Sequence, residues 1–358
     1  MLQIPFYDPS KSYEDNYKEG PFGVFSDNIT FSKRGEPNYE FLGQKVYLPF
    51  GIPAGPLLNG KFVKAALRKG FDVSVYKTVR TKSNPTYPWP NVLAVKVEGD
   101  ITLEKAQQGL TADTNYQEPL SITNSFGVPS MDPDIWQPDM SDAIKATGIG
   151  QVVIGSFQGT KSQDGDISKY IADFVLGAKL VKETGAKILE ANLSCPNEGT
   201  ADLLCFDTER VFAITTAIKE EIGNTPLIIK IAYSKKNLSE YVKKLGNVVD
   251  GFSAINTIPA KILDKDGNQA LSGEGRLISG TCGHGIKWAG LDMAKRLVDL
   301  RREYGMKYVV IGVGGVIEKE DYNAYKQIGV DAIMSATGAI WNPYLAQEIW
   351  KMVNRPIG

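Results

Sequence analysis

The chain has 358 residues, 42% of them hydrophobic and 23% charged, with a formal net charge of −1. These values fit a globular protein and offer no electrostatic footprint for nucleic acid or an acidic membrane. No apolar run approaches the ~18 residues of a transmembrane helix, so no membrane insertion is expected.

In chain order, residues 1–45 read as a Pro/Gly/aromatic-rich extension packed on the remainder of the chain. Its start, MLQIPFYDPSKSYEDNYKEG, lacks the basic beginning and apolar middle of a signal peptide. From residue 46 to 358, short apolar runs alternate with charged segments of helical spacing, the pattern of βα units around a parallel sheet. Eight runs qualify as strands. They are VYLPFGIPAG from Val46, DVSVYKT from Asp72, QVVIGSFQ from Gln151 and AKILEANL from Ala186. LIIKIAY from Leu227, GFSAINT from Gly251, KYVVIGVGG from Lys307 and DAIMSAT from Asp331 complete the set. DISKYIADFVLGAKLVKETG and LDMAKRLVDLRREYG have the apolar spacing of helices between them. Residues 82–148 interrupt the alternation. There NVLAVKVEGDITL alternates like a hairpin and SITNSFGVPSMDPDIW comes after it, so an inserted small sheet and loop region is expected. The fold class is α/β: a (β/α)8 TIM barrel with an N-terminal extension and this insertion.

Chemistry in such a barrel sits at the carboxyl ends of the strands. The second strand ends in Lys77-Thr78, the fourth in Asn192-Leu193-Ser194-Cys195, and the sixth in Asn256-Thr257. A lone strand-end lysine is usually solvated. Lys230 differs, because LIIKIAY implies burial on both faces, and a buried ammonium needs a partner or an anion. A core cysteine is usually a small inert hydrophobe. That reading suits Cys205 and Cys282, but Cys195 stands among Asn192, Ser194 and Asn197, which gain nothing from an apolar site. Three scattered cysteines build neither a disulfide framework nor an iron–sulfur cluster, so free thiols in a reducing cytoplasm are expected. His284, the one histidine, reads as a loop or cofactor-adjacent residue in GTCGHG. No metal-type spacing accompanies it, and no nucleophile elbow makes a triad, so no metal is expected. The last two strands end in GVGG (Gly314, Gly315) and ATGA (Thr337, Gly338), where glycine lets backbone approach a phosphate closely.

NLSCPN followed by EGTADLLCFD resembles the catalytic stretch of class 1 dihydroorotate dehydrogenases. The resemblance runs from about Val46 to Trp341. PFGIPAG is similar to that family's first strand, VYKTVRTKSNPTYPWP to its lysine strand and Asn-Pro loop, and NSFGVPS to its substrate loop. IKIAY, INT, GHGIK, IGVGG and SATGA come in the family's order.

The resemblance implies FMN-dependent oxidation of (S)-dihydroorotate to orotate in pyrimidine biosynthesis. Cys195 would be the general base, taking the C5 proton while the C6 hydride passes to flavin N5. Asn124, Asn192, Asn197, Asn256 and Thr257 would bind the pyrimidine, helped by the loop Phe126, Gly127 and Val128. Lys77, Thr78, Asn192 and Lys230 would meet the flavin, and Gly314, Gly315, Thr337 and Gly338 its phosphate. Ala54, Gly55, Gly283 and Lys287 would pack along the cofactor. A homodimer is expected, with fumarate or a partner subunit as possible electron acceptors. Dihydropyrimidine dehydrogenases, acting on uracil or thymine, share the Asn-Thr of Asn256-Thr257 but carry His where this chain has Asn197. That difference favours dihydroorotate. A tRNA-dihydrouridine synthase would need a basic face, and a flavin barrel without turnover has no need for this polar set.

Overall fold

The computed structural model describes residues 2–194, 204–235 and 237–354. Its centre is a parallel sheet closed on itself. The strands are β1 (Phe50–Ile52), β2 (Val73–Val75), β3 (Val152–Phe157) and β4 (Leu189–Asn192), then β5 (Leu227–Ile231), β6 (Gly251–Ala254), β7 (Val309–Val313) and β8 (Ala332–Met334). Each pairs with the next, and β8 returns to β1 through Ile333↔Phe50 and Met334↔Gly51, which closes the (β/α)8 barrel. All eight expected strands are present. They are short, and their residues are buried on both faces, as a helix-covered parallel sheet requires. The helices Ile167–Glu183 and Lys287–Glu303 occupy the two segments whose spacing predicts them. Asp166 caps the first through the amide of Ser168 at 2.8 Å.

The barrel interior is filled by Val73, Val75, Val152, Ile154, Ile188, Ile228, Ile311 and Met334. Phe41 and Val46 join that cluster from an antiparallel hairpin, Tyr39–Phe41 with Gln44–Val46, just before β1. Upstream, Phe6 is fully buried, its ring 4.5 Å from Phe25 and 6.0 Å from Phe62. The amide of Phe6 donates to the carbonyl of Ile340 at 3.0 Å. Lys33 reaches the buried Asp72 at 2.6 Å, and Asp72 also accepts the amide of Leu48 at 2.8 Å. Burial pushes the Asp72 carboxyl up to about 6, against the charge of Lys33. Lys33→Met is therefore expected to cost about 3–5 kcal/mol near neutral pH, because one buried charge loses its partner. A carboxyl with a raised pKa keeps its proton longer in the folded than in the unfolded chain, so stability falls as pH rises through that interval. The deficit of Lys33→Met should accordingly shrink on going from pH 7 toward pH 4. Urea melts across that range check both size and sign.

The interval 82–148 contains two different things. Pro133–Lys145 is the helix that leads from β2 to β3. The rest belongs to a second, five-stranded closed sheet made of Val92–Val95, Leu110–Asp113, Ser121–Asn124, Ile258–Leu263 and Ile278–Gly283. Two readings need correction. NVLAVKVEGDITL is not a hairpin: after one strand the chain turns at Glu98–Asp100, and Thr102 caps a helix, Leu103–Gln108. The strand's antiparallel partners are Leu110–Asp113 and Ser121–Asn124. GTCGHG is likewise not simply a loop, since Ile278–Gly283 is a strand paired with Ser121–Asn124.

Candidate active site

The small sheet and the carboxyl ends of the barrel strands enclose two adjoining cavities. One is lined by Ala54, Gly55, Lys77, Thr78, Asn124, Phe126, Gly127, Val128, Asn192, Lys230, Asn256 and Thr257. Every one of these is among the residues that the family resemblance implies for the substrate or the flavin. The other shares Ala54, Gly55, Asn124, Phe126, Lys230, Asn256 and Thr257, and adds Thr337, Cys282, Ile340 and Tyr7. Of two further cavities of about 430 Å³, one lies around Cys205 and Tyr233, and the other, around Tyr13 and Trp136, shares Lys77 with the site. Cys195 and Asn197 lie outside the described residues.

A hydrogen-bonded row runs beneath the floor of the site, from Thr78 just beyond β2 to Glu190 on β4. Ser156 Oγ donates to Glu190 Oε1 at 3.2 Å. With its one proton committed there, Ser156 accepts from Thr78 Oγ1 at 3.0 Å. Lys230 Nζ lies 3.9 Å from the same Glu190 oxygen, and both side chains are buried. Glu190 is thus the partner that burial of Lys230 demands. The sequence hides it, because AKILEANL reads as one apolar run.

The segment before Cys195 is held from both sides. Asn192 Nδ2 donates to Gln158 Oε1 at 2.9 Å, and Asn192 Oδ1 accepts the Ser194 amide at 3.3 Å. Asn256 Nδ2 donates to Ser194 Oγ at 3.0 Å and to the Ser194 carbonyl at 3.3 Å. These bonds fix the end of β4 against the end of β6.

The loop Phe126–Val128 forms the opposite wall. Val128 takes the left-handed φ of +52°, rare for a β-branched residue. Buried Arg80 holds it there: Nε donates to the Val128 carbonyl at 3.2 Å, while Nη1 donates to the Gly159 carbonyl at 3.1 Å. Asn84 Nδ2 donates to the carbonyls of Gly127 and Val128, each at 3.0 Å. Lys77 Nζ lies 5.6 Å from the Phe126 ring centre, and Tyr7 packs edge-on against that ring at 5.6 Å. Tyr7 comes from the N-terminal segment, and its buried hydroxyl has no hydrogen-bond partner among the described residues. No sequence signal marks it.

Cys282, which reads as inert, lines the second cavity. Its Sγ accepts from Asn124 Nδ2 at 3.3 Å and Thr337 Oγ1 at 3.4 Å. Burial raises its pKa, so it stays a neutral thiol. Gly283 and Lys287 are not brought to the cavity walls. A Cβ at Gly283 would lie 2.3 Å from the Leu120 carbonyl, and Lys287 pairs with buried Asp321 at 2.7 Å. Gly314, Gly315 and Gly338 are likewise not among the residues lining these two cavities. A Cβ at Gly315 would lie 2.3 Å from that of Lys287, so glycine lets the end of β7 pack on the start of the helix Lys287–Glu303.

A family description for dihydroorotate dehydrogenase matches residues 38–356. The chain belongs to the dihydroorotate dehydrogenase family. It is an oxidoreductase of that family, whose enzymes are flavoproteins. A dihydroorotate dehydrogenase of Dictyostelium discoideum is 35% identical over 370 aligned positions, covering 99% of this chain and 98% of its own. The catalytic subunit of the NAD(+)-type dihydroorotate dehydrogenase B of Staphylococcus carnosus is 27% identical over 49% of this chain and 56% of its own. Dihydroorotate dehydrogenase of Eimeria tenella in complex with ferulenol superposes with a TM-score of 0.68 at 17% identity, over 92% of this chain and 87% of that one. At that identity the likeness speaks for the fold alone. No helix among the described residues is long and apolar enough to cross a membrane.

Proposed function

We propose that this enzyme oxidises (S)-dihydroorotate to orotate with FMN, using Cys195 as general base. The observation that carries the reading is the convergence of three asparagines, Asn124, Asn192 and Asn256, with Thr257, Lys77 and Lys230 on one cavity. The lining offers the cations and amide groups that a flavin ring would meet. A Cβ at Gly55 would meet no atom within 4 Å, so the backbone there borders open space beside Lys230. When bound, FMN supplies the acceptor for the hydride that leaves C6 of the ring.

The chain's own residues do the rest. Asparagine offers a donor and an acceptor on one planar group, which suits a ring whose edge alternates N–H and C=O. The backbone amides of Phe126–Val128 are suited to the substrate carboxylate. Asn192 and Asn256 hold Ser194, the residue before the proposed base for the C5 proton. Lys230 opposes negative charge gained at the cofactor's pyrimidine edge. Gly314, Gly315, Thr337 and Gly338 are the proposed phosphate cradle. The free thiols of Cys205 and Cys282 suit a reducing compartment, and the cytoplasm is the expected location. A homodimer is expected, with fumarate or a partner subunit taking the electrons.

Mixing the flavin-loaded enzyme with L-dihydroorotate without oxygen should bleach the flavin rapidly. A flavin that stays oxidised with dihydroorotate but responds to dihydrouracil would overturn the substrate assignment. Arg80→Ala, which frees the Phe126–Val128 wall, should lower kcat/KM for dihydroorotate by about 10²-fold through misplacement of the substrate. Flavin content should be unchanged. Steady-state kinetics beside a flavin-to-protein absorbance ratio separates the two effects.

A further inference from the structure

We propose that Glu190 sets the charge that Lys230 presents to the bound flavin, and thereby the flavin's reduction potential. The inference rests on the FMN reading above. Glu190 and Asn192 are two residues apart on β4 and share a face of the strand. Lys230 is the β5 neighbour of Asn192 in register. The carboxylate therefore sits one layer below the cavity floor and the ammonium at the floor. Lys230 lines both cavities, and Glu190 lines neither.

The bonding of Glu190 is lopsided. Oε1 accepts from Ser156 and faces Lys230 at 3.9 Å, whereas Oε2 is buried and has no hydrogen-bond partner among the described residues. Leaving a buried carboxylate oxygen unsatisfied is costly. For packing alone, leucine would fill the position without that cost. The charge itself is what Glu190 adds, and Lys230 is its one ion-pair partner among the described residues. A lysine alone under the flavin would strongly favour the reduced form, which carries negative charge. Paired with Glu190, it presents a weaker field. Glu190 is thus a positioning residue that acts through Lys230 and keeps the potential low enough for electrons to move on to the next acceptor.

The test is the midpoint potential of flavin-loaded Glu190→Gln, measured by equilibration with a reference dye. Glutamine keeps the shape and removes the charge. Reduced flavin should gain at least about tenfold over oxidised flavin in relative affinity, an upward shift of about 30 mV for a two-electron couple. Glu190→Asp withdraws the carboxylate by one methylene and should shift the potential in the same direction by less. It serves if the glutamine variant does not fold. A loaded variant whose potential is unchanged or lower overturns the inference and leaves the proposed function standing. A parent protein that takes up no FMN overturns both.

Discussion

Replacing Cys195 with serine is expected to slow flavin reduction by dihydroorotate by about 10²–10⁴-fold, the usual contribution of a positioned general base. FMN should remain bound, because no cofactor contact is assigned to this side chain. The expectation rests on what surrounds position 195. Ser194 is gripped by Asn192 from β4 and by Asn256 from the end of β6. Ser194 is the last described residue before the proposed base, and it is held beside Asn192 and Asn256, which line the cavity. A thiol abstracts protons only as thiolate, and an ordinary cysteine reaches that state near pH 8.5. In the parent enzyme, reduction should therefore accelerate as pH rises through the thiol's titration. Serine titrates far above that range, so the variant should lose the rise as well as the rate. Stopped-flow reduction of both proteins from pH 6 to 10 reads both features. A variant within a few-fold of the parent at every pH would sink the base assignment.

The strands and the site residues at their ends were legible in the sequence for one physical reason. A strand in a parallel barrel is buried on both faces, so a polar residue at or just beyond its carboxyl end stands out, as does a lysine within it. Lys77, Asn192, Lys230 and Asn256 were visible on that ground. What escaped depended on contacts between distant segments. The strand Ile278–Gly283 looked like a loop because ISGTCG is small and glycine-rich. Gly280 is there for packing: an added Cβ would lie 2.4 Å from Thr257 Oγ1, so glycine lets this strand press against the candidate substrate wall. The pairing Gly280↔Asn124 joins segments far apart in the chain, and nothing local announces it. Glu190 was hidden differently, as a carboxylate inside an apolar run whose meaning depends on Lys230 in the next strand. Tyr7 reaches the cavity only because Phe6 anchors the N-terminal segment to Ile340 and the core aromatics.

Lys230→Met should be damaging in two separable ways. Removing one partner of a buried ion pair leaves the other uncompensated, at a cost of about 3–5 kcal/mol. Here the stranded group would be Glu190, fully buried and already lacking a donor on Oε2. The apoprotein should therefore melt well below the parent. The second effect falls on the cofactor, since the cation proposed to face its pyrimidine edge is gone, and FMN should bind more weakly. The double variant Lys230→Met, Glu190→Gln tells the two apart. With the stranded carboxylate removed, most of the lost stability should return, because buried pairs replaced by neutral groups of similar size are often tolerated. FMN affinity should stay low, since no cation has been restored. Thermal melts of the stripped proteins and fluorescence titrations with FMN supply the two readouts. If the double variant regained both stability and affinity, Lys230 would matter to the fold alone and its assigned place at the flavin would be lost. If neither returned, the pair would be stabilised by contacts beyond its own charges, and Glu190 could not be treated as its simple counterweight.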